Sequence, residues 1–107
     1  MRVLRRLLFG IVKLYDKMVK IKQIRTGVIG VGSMGQNHAR VYSEISNLIG
    51  VADPNEKQGK EVAERFGVKW FKDYKDLIPL VDSLSISTPT KFHYDVADMA
   101  LSHGKNI

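Results

Sequence analysis

Residues Thr26–Ala39 read TGVIGVGSMGQNHA, four glycines set between an apolar run and a helical pattern. Gly30, Gly32 and Gly35 stand in the order G-x-G-x-x-G, the spacing of a strand-to-helix turn built around a pyrophosphate. Each glycine has its own task in such a turn. Gly30 makes the tight bend, Gly32 lets phosphate oxygens approach the backbone, and Gly35 lets the helix pack closely on the strand. The unpaired N–H groups of the first helical turn and the positive end of the helix dipole face the anion, so no side-chain cation is needed. Gly27 lies outside the motif and is expected to be a packing position. Nine glycines in 107 residues also produce such spacings by chance. The alternative is a tight turn that binds nothing, and the surrounding sequence decides between the two.

Ile24–Gly30 (IRTGVIG) is a short apolar run ending in glycine, which reads as a buried strand. Met34, His38, Val41, Ile45 and Leu48 then recur at helical spacing, which predicts one face of a helix. LIGVAD (48–53) is a second strand, stopped at Asp53-Pro54. PNEKQGKEVAERFG (54–67) predicts a second helix with Val62, Ala63 and Phe66 inward and Gly67 as its C-terminal stop. VKWF (68–71) is a third strand, followed by a short helix around Tyr74–Ile78. VDSLSIST (81–88) is a fourth strand, ended by Pro89. KFHYDVADMALSHG (91–104) predicts a helix with Phe92, Val96, Met99, Ala100 and His103 on one side, and KNI (105–107) reads as the start of a fifth strand.

Strands separated by helices specify an α/β fold, a doubly wound parallel sheet of Rossmann type with right-handed crossovers. Ligands of such sheets lie at the carboxyl ends of the strands. Those ends carry Gly30, Asp53, Phe71 and Thr88. Asp53, 23 residues beyond Gly30, has two readings. Its carboxylate accepts hydrogen bonds from the adenosine ribose hydroxyls, which favours NAD over the 2′-phosphorylated cofactor. Alternatively it caps the second helix, with Pro54 at the first helical position and Glu56 completing a capping box. The two roles are compatible, because a capping carboxylate has spare acceptor sites. Neither position 54 nor 55 is basic, although Lys57 is within reach of a 2′-phosphate. His38, on the apolar face of the first helix, is expected to be a packed, hydrogen-bonded core residue. His93 stands near the expected nicotinamide end, and His103 at a helix C-terminus compensates the dipole. Three histidines on separate elements suggest no metal site.

Composition bounds the rest. Hydrophobic residues at 44% and charged residues at 26% are those of an ordinary globular domain. The chain has no cysteine, which excludes a disulfide framework and a thiolate metal site and fits a reducing cytoplasm. The net charge of +6 is local: residues 1–22 hold seven basic residues and Asp16, while the remaining ten basic and ten acidic residues cancel. No nucleic-acid partner is therefore expected for the neutral domain. Residues 1–22 read as a basic amphipathic extension and 23–107 as a dinucleotide-binding domain.

In the extension, Leu4, Leu7, Leu8, Ile11, Leu14, Tyr15 and Met18 recur at helical spacing with the cations mostly off that stripe. Its apolar run Leu7–Val12 is too short to span a membrane and makes a poor signal peptide. Contact of residues 1–18 with an anionic membrane or a partner is one reading. A helix dangling in solvent, or a translation start at Met18, is the reading the sequence favours.

Four blocks carry a wider likeness: GVIGVGSMGQNHARVYSE, VADPN, AERFGVKWFKDYKDLI and VDSLSISTPTKFHYDVADMALSHGKNI. From about Ile24 to Ile107 the chain resembles the glucose–fructose oxidoreductase and inositol dehydrogenase family (Gfo/Idh/MocA). NHARVYSE and STPTKFH are particularly like the branch that oxidises UDP-N-acetylglucosamine at its 3-hydroxyl. The resemblance implies a cofactor, NAD with NADP as the alternative, cradled by Gly30, Gly32, Ser33, Met34 and Gly35. It implies that Asp53 holds the adenosine ribose and that Ser87, Thr88 and Pro89 line the nicotinamide half, with His93 close by.

In full-length members of the family a Glu-Lys-Pro motif follows the GKNI position, and its lysine serves catalysis. A second, mostly β domain supplies the sugar-binding residues and an acid/base group. The expectation is thus a cofactor-binding domain of a sugar, cyclitol or nucleotide-sugar dehydrogenase, inactive as these 107 residues alone. The alternatives are a stand-alone nucleotide-binding or partner-docking module without catalysis and a methyl-donor-binding domain, which the glycine spacing and Asp53 suit less well. Oligomeric state is left open by the sequence.

Overall fold

The computed structural model describes the backbone of residues 2–88 and 90–107 and the side chains of residues 2–88 and 94–107. A helix, α1 (Arg2–Gln23), precedes β1 (Arg25–Ile29), α2 (Ser33–Ile45), β2 (Asn47–Ala52), α3 (Glu56–Phe66) and β3 (Lys69–Phe71). A single turn α4 (Tyr74–Leu77) runs into a 3₁₀ turn (Ile78–Leu80), then β4 (Ser83–Ile86) and α5 (Thr90–Ser102). The four strands form one parallel sheet in the order β3-β2-β1-β4. Asn106 adds a parallel bridge to Ser83 on the outer edge of β4, where the sequence places the start of a fifth strand.

Alternate residues of the strands enter opposite layers, as the two-residue period requires. Val28 and Val51 pack with Val31, Ala39, Leu48, Val62 and Ala63 beneath α2 and α3. Ile29 and Ala52 pack with Phe71, Leu77, Ile78, Leu84 and Val96 on the other face, beneath α4 and α5. The sheet is therefore doubly wound, with one apolar layer on each side.

α2 corrects the expected helix face. Its buried residues are Gly35 and Ala39, whereas Met34, Val41 and Ile45 are exposed and Leu48 belongs to β2. The rotation is set by contact rather than by apolar periodicity. A Cβ on Gly35 would overlap the Gly30 carbonyl oxygen, so only glycine lets the helix start this close to β1. Ala39, one turn on, continues that small-residue face.

α5 buries Val96 and Ala100, as its pattern predicts, but His103 is exposed rather than inward. The His103 ring meets the Met99 carbonyl through Nδ1 at 2.9 Å, an acceptor at the helix end that also takes the Ser102 hydroxyl at 2.7 Å and the His103 N–H at 3.3 Å. Phe92 lies outside the described side chains. At the amino-terminal edge of the sheet Arg25 and Asp82 form a fork: Arg25 donates from its backbone N–H, Nε and Nη2 to the Asp82 carboxylate at 3.0, 3.2 and 2.9 Å.

Candidate cofactor site

β1 leads outward through β2 to β3, and the chain then returns to lay β4 on the opposite side of β1. The carboxyl ends of β1 and β4 thus flank the point where the winding reverses, the usual ligand position in such sheets. The ends are held by the ladder before the chain turns away. Gly30 N–H donates to the Ala52 carbonyl at 2.8 Å, Ser87 N–H to Ile29 at 2.8 Å, and Asp53 N–H to Phe71 at 3.0 Å.

The glycine turn is built at this reversal. Gly30 has φ +87°, a conformation other residues rarely adopt, and a Cβ on it would lie 2.6 Å from the Ser87 carbonyl oxygen. Gly32 is different. Its backbone is extended (φ −67°, ψ −168°), and a Cβ there would have nothing within 4 Å. It occupies the cap position of α2 without a side chain to fill it. The helix begins its own hydrogen bonding with Gln36 N–H to the Gly32 carbonyl at 2.9 Å. The N–H groups of Ser33, Met34 and Gly35 therefore precede the helical ladder and are available to an anion. Gln36 steadies the turn by donating from Nε2 to the Val31 carbonyl at 3.0 Å and accepting from Arg65 at 3.2 Å.

Asp53 is anchored without being used up. Its Oδ2 accepts the Val31 N–H at 2.9 Å and its Oδ1 the Asn55 N–H at 2.8 Å, leaving each oxygen with a further lone pair. Its carbonyl accepts Trp70 Nε1 at 3.0 Å. Of the two readings of Asp53, the capping one is overturned. Asn55 caps α3, accepting the Gln58 N–H at 3.1 Å, and Pro54 lies before the helix rather than at its first position. Because the Asp53 carboxylate is drawn across to the β1 turn and closes an Asx turn on Asn55, the cap passes two residues along the chain.

His38 is half-buried on α2, with Nδ1 meeting Ser85 Oγ and, at 3.3 Å, Ser87 Oγ. It is hydrogen-bonded as expected, but it also faces the cleft. Thr88 Oγ1 is buried and has no hydrogen-bond partner among the described residues.

One cleft of about 1350 Å³ gathers these groups: the glycine turn with Ser33 and Met34, Asp53, Ser87 and Thr88. Pro89 and the side chain of His93 lie outside the described residues. The sequence reading missed the wall contributed after β3 by Lys72, Asp73 and Tyr74, and Gln58 on α3. The strand-end rule that selected Phe71 would have found the first three had it been extended past the strand. Gln58 had no signal beyond its place in the first turn of α3. Lys72 is the one lysine or arginine on the wall among the described residues.

A donor-lined turn open at Gly32, a carboxylate with free lone pairs across from it and an orphaned hydroxyl beyond fit an extended dinucleotide. Comparison with known proteins agrees. Residues 24–107 match the GFO_IDH_MocA family, described as an oxidoreductase family with an NAD-binding Rossmann fold. The UDP-N-acetylglucosamine 3-dehydrogenase of Acidithiobacillus ferrooxidans is 44% identical over 81 residues, which cover 76% of this chain and 26% of that protein. A solved structure of that name from the same organism superposes with a TM-score of 0.75 at 43% identity, covering 78% of this chain and 28% of that one. A scyllo-inositol dehydrogenase from Lactobacillus casei, solved with NAD(H) and scyllo-inositol, superposes with a TM-score of 0.71 at 26% identity, over 78% of this chain and 26% of that one. The chain spans about a quarter of the length of the curated relatives it matches. The chain belongs to the Gfo/Idh/MocA oxidoreductase family, and residues 24–107 are its NAD-binding Rossmann fold.

Proposed function

We propose that residues 23–107 form the cofactor domain of a dehydrogenase that moves a hydride between a nicotinamide and a hydroxyl of a sugar, cyclitol or nucleotide sugar, with NAD preferred over NADP. The observation that carries the reading is the contrast within the glycine turn: Gly30 and Gly35 are closed by backbone, while Gly32 opens onto the cleft. The names of the relatives, a UDP-N-acetylglucosamine 3-dehydrogenase and inositol dehydrogenases, support the substrate class. Bound, the nicotinamide supplies the hydride acceptor or donor.

In this reading the N–H groups of Gly32, Ser33, Met34 and Gly35 take the pyrophosphate oxygens. Asp53 takes the ribose hydroxyls with its spare lone pairs, and its negative charge repels a 2′-phosphate. Ser87 and Thr88 line the nicotinamide half, where Thr88 Oγ1 lacks a partner. Pro89 and His93 are assigned there by resemblance alone. Residues 1–22 form an extension separate from this domain, a division supported by the absence of any buried residue in α1.

Titration with NADH and NADPH tests the reading, followed by quenching of Trp70, the only tryptophan and a direct neighbour of Asp53. Tighter binding of NADH, lost in Gly32→Val without loss of the folded circular dichroism spectrum, is the expected result. An unchanged NADH titration in that variant rejects the site, and equal affinity for the two cofactors rejects the preference. These 107 residues by themselves are expected to bind NADH, and, supplied with NAD⁺, not to oxidise UDP-N-acetylglucosamine or inositol in an absorbance assay.

A further inference from the structure

α1 takes no part in the cofactor site, yet it is strongly amphipathic. It runs unbroken from Arg2 to Gln23, through Gly10, and buries no residue. At 1.5 Å per residue it is about 33 Å long, and it accounts for a molecule measuring 59 Å along one axis and 30 Å along the next. At 100° per residue, eleven of its twelve large apolar side chains fall on one half of the helix circumference, with Leu4 and Ile11 at the centre. All are between 36% and 75% exposed. Of its seven cations, Lys22 in the last turn falls on the apolar half, and the other six, Arg2, Arg5, Arg6, Lys13, Lys17 and Lys20, occupy the opposite half, with Asp16 as its only acid. The one aromatic on that half, Phe9, is covered by Lys13, whose Nζ lies 4.8 Å from the ring centroid.

The charge pattern selects among the surfaces that could cover the apolar half. A helix that packs on protein needs its stripe but gains nothing from six like charges. Pairs such as Arg2 with Arg6 and Lys13 with Lys17, four residues apart, repel each other. Two copies joined through their stripes would leave both cationic halves unrelieved. An anionic interface receives the apolar half among acyl chains while arginine and lysine stems reach up to the phosphates. The remainder of the chain is electrically neutral, so the basic character belongs to this helix alone. No described helix is long and apolar enough to cross a membrane, which leaves an in-plane position.

We propose that α1 lies in the plane of an anionic lipid surface, its apolar half sunk into the headgroup boundary, and tethers the cofactor domain there.

Co-sedimentation of the full chain with phosphatidylcholine vesicles, with and without phosphatidylglycerol, tests this. Binding is expected only with phosphatidylglycerol, and it weakens as salt is raised. Replacing Arg5, Arg6 and Lys13 by glutamine is expected to weaken binding about a hundredfold, from roughly one tenfold step per 1.4 kcal/mol and about 1 kcal/mol per cation. The double variant Leu7→Glu/Ile11→Glu is expected to abolish it. Both variants should keep the thermal melt of the sheet domain, which α1 does not help to bury. Failure to sediment with phosphatidylglycerol vesicles overturns the proposal. So does binding to neutral vesicles that ignores the cation variant. Self-association that strengthens with salt and disappears in Leu7→Glu/Ile11→Glu, without vesicle binding, assigns the stripe to a second copy instead.

Discussion

Two turns at the same edge of the sheet solve the same problem in opposite ways. After β1 the chain enters α2 through Gly32, whose lack of a side chain leaves the first helical N–H groups to whatever enters the cleft. After β2 it enters α3 through Asn55, whose side chain accepts the Gln58 N–H at 3.1 Å and closes that helix end internally. The α4 turn repeats the second solution, with Asp73 accepting the Lys75 N–H at 2.9 Å. On the proposed function, the anion site is made by withholding a cap, not by adding a cation. The carboxylates at the two edges of the sheet show the same division. Asp82 is bound three times by Arg25, while Asp53 is held by two backbone N–H groups and keeps lone pairs free.

The comparison breaks most severely at Gly35. A methyl group there would overlap the Gly30 carbonyl oxygen, which is backbone and cannot step aside. Gly35→Ala is expected to push α2 off β1 and cost about 3 kcal/mol or more, an overpacking penalty at the upper end of the usual range. Urea unfolding measures it, with a variant of unchanged midpoint counting against the packing role.

Gly32 separates stability from function. A Cβ there meets nothing, and the extended backbone suits a capping residue, so Gly32→Asp converts the β1 turn into a copy of the β2 turn. The expected outcome is a gain of a few tenths of a kcal/mol in helix stability. NADH affinity should fall by about a hundredfold or more, because a carboxylate would occupy the donors and repel the pyrophosphate. A melt at or above the wild-type temperature together with a lost NADH titration is the signature. A retained titration would mean that the cap position is not where the cofactor lies.

What the sequence made legible divides along the same line. Features fixed by local backbone chemistry were readable: the four strands, the Gly67 stop of α3 with φ +65°, and the glycine turn. Features fixed by tertiary contact were not. The helix face of α2 followed Gly35 and Ala39 because of their approach to β1, against an apolar periodicity through Met34, Val41 and Ile45 that points to solvent. Asp53 looked like a cap because Pro54 and Glu56 follow it. Only the folded chain brings Val31 N–H within 2.9 Å of its carboxylate and so moves the cap to Asn55. His38 and the wall after β3 joined the site through the same long-range assembly.

Asn55 tests the capped turn from its own side. Asn55→Ala removes the acceptor of the Gln58 N–H and is expected to cost about 1 kcal/mol, while NADH binding changes little because Asn55 contributes its backbone N–H, not its side chain, to Asp53. Thermal melts and the NADH titration together read both effects. A large loss of affinity would show that the cap and the Asp53 carboxylate are coupled more tightly than their separate hydrogen bonds imply.

The smallest effect belongs to the far edge, where Asp82 is saturated by Arg25. The guanidinium and backbone N–H of Arg25 hold the Asp82 carboxyl down from its ordinary value of 3.8 to about 2. The folded state therefore favours the ionised form. Its contribution is complete above pH 4 and is lost as the pH falls from about 4 toward 2. Both side chains are about half exposed, so the effect is modest and screened by salt. Asp82→Asn should flatten the acid limb of a stability-against-pH curve between those values and leave the curve above pH 5 parallel to wild type. NADH affinity should stay unchanged, since Asp82 lies at the opposite end of the strands from the glycine turn. An altered titration would instead show that fixing the start of β1 to β4 sets the placing of their carboxyl ends, and with it the shape of the cleft that Gly30 and Ser87 line.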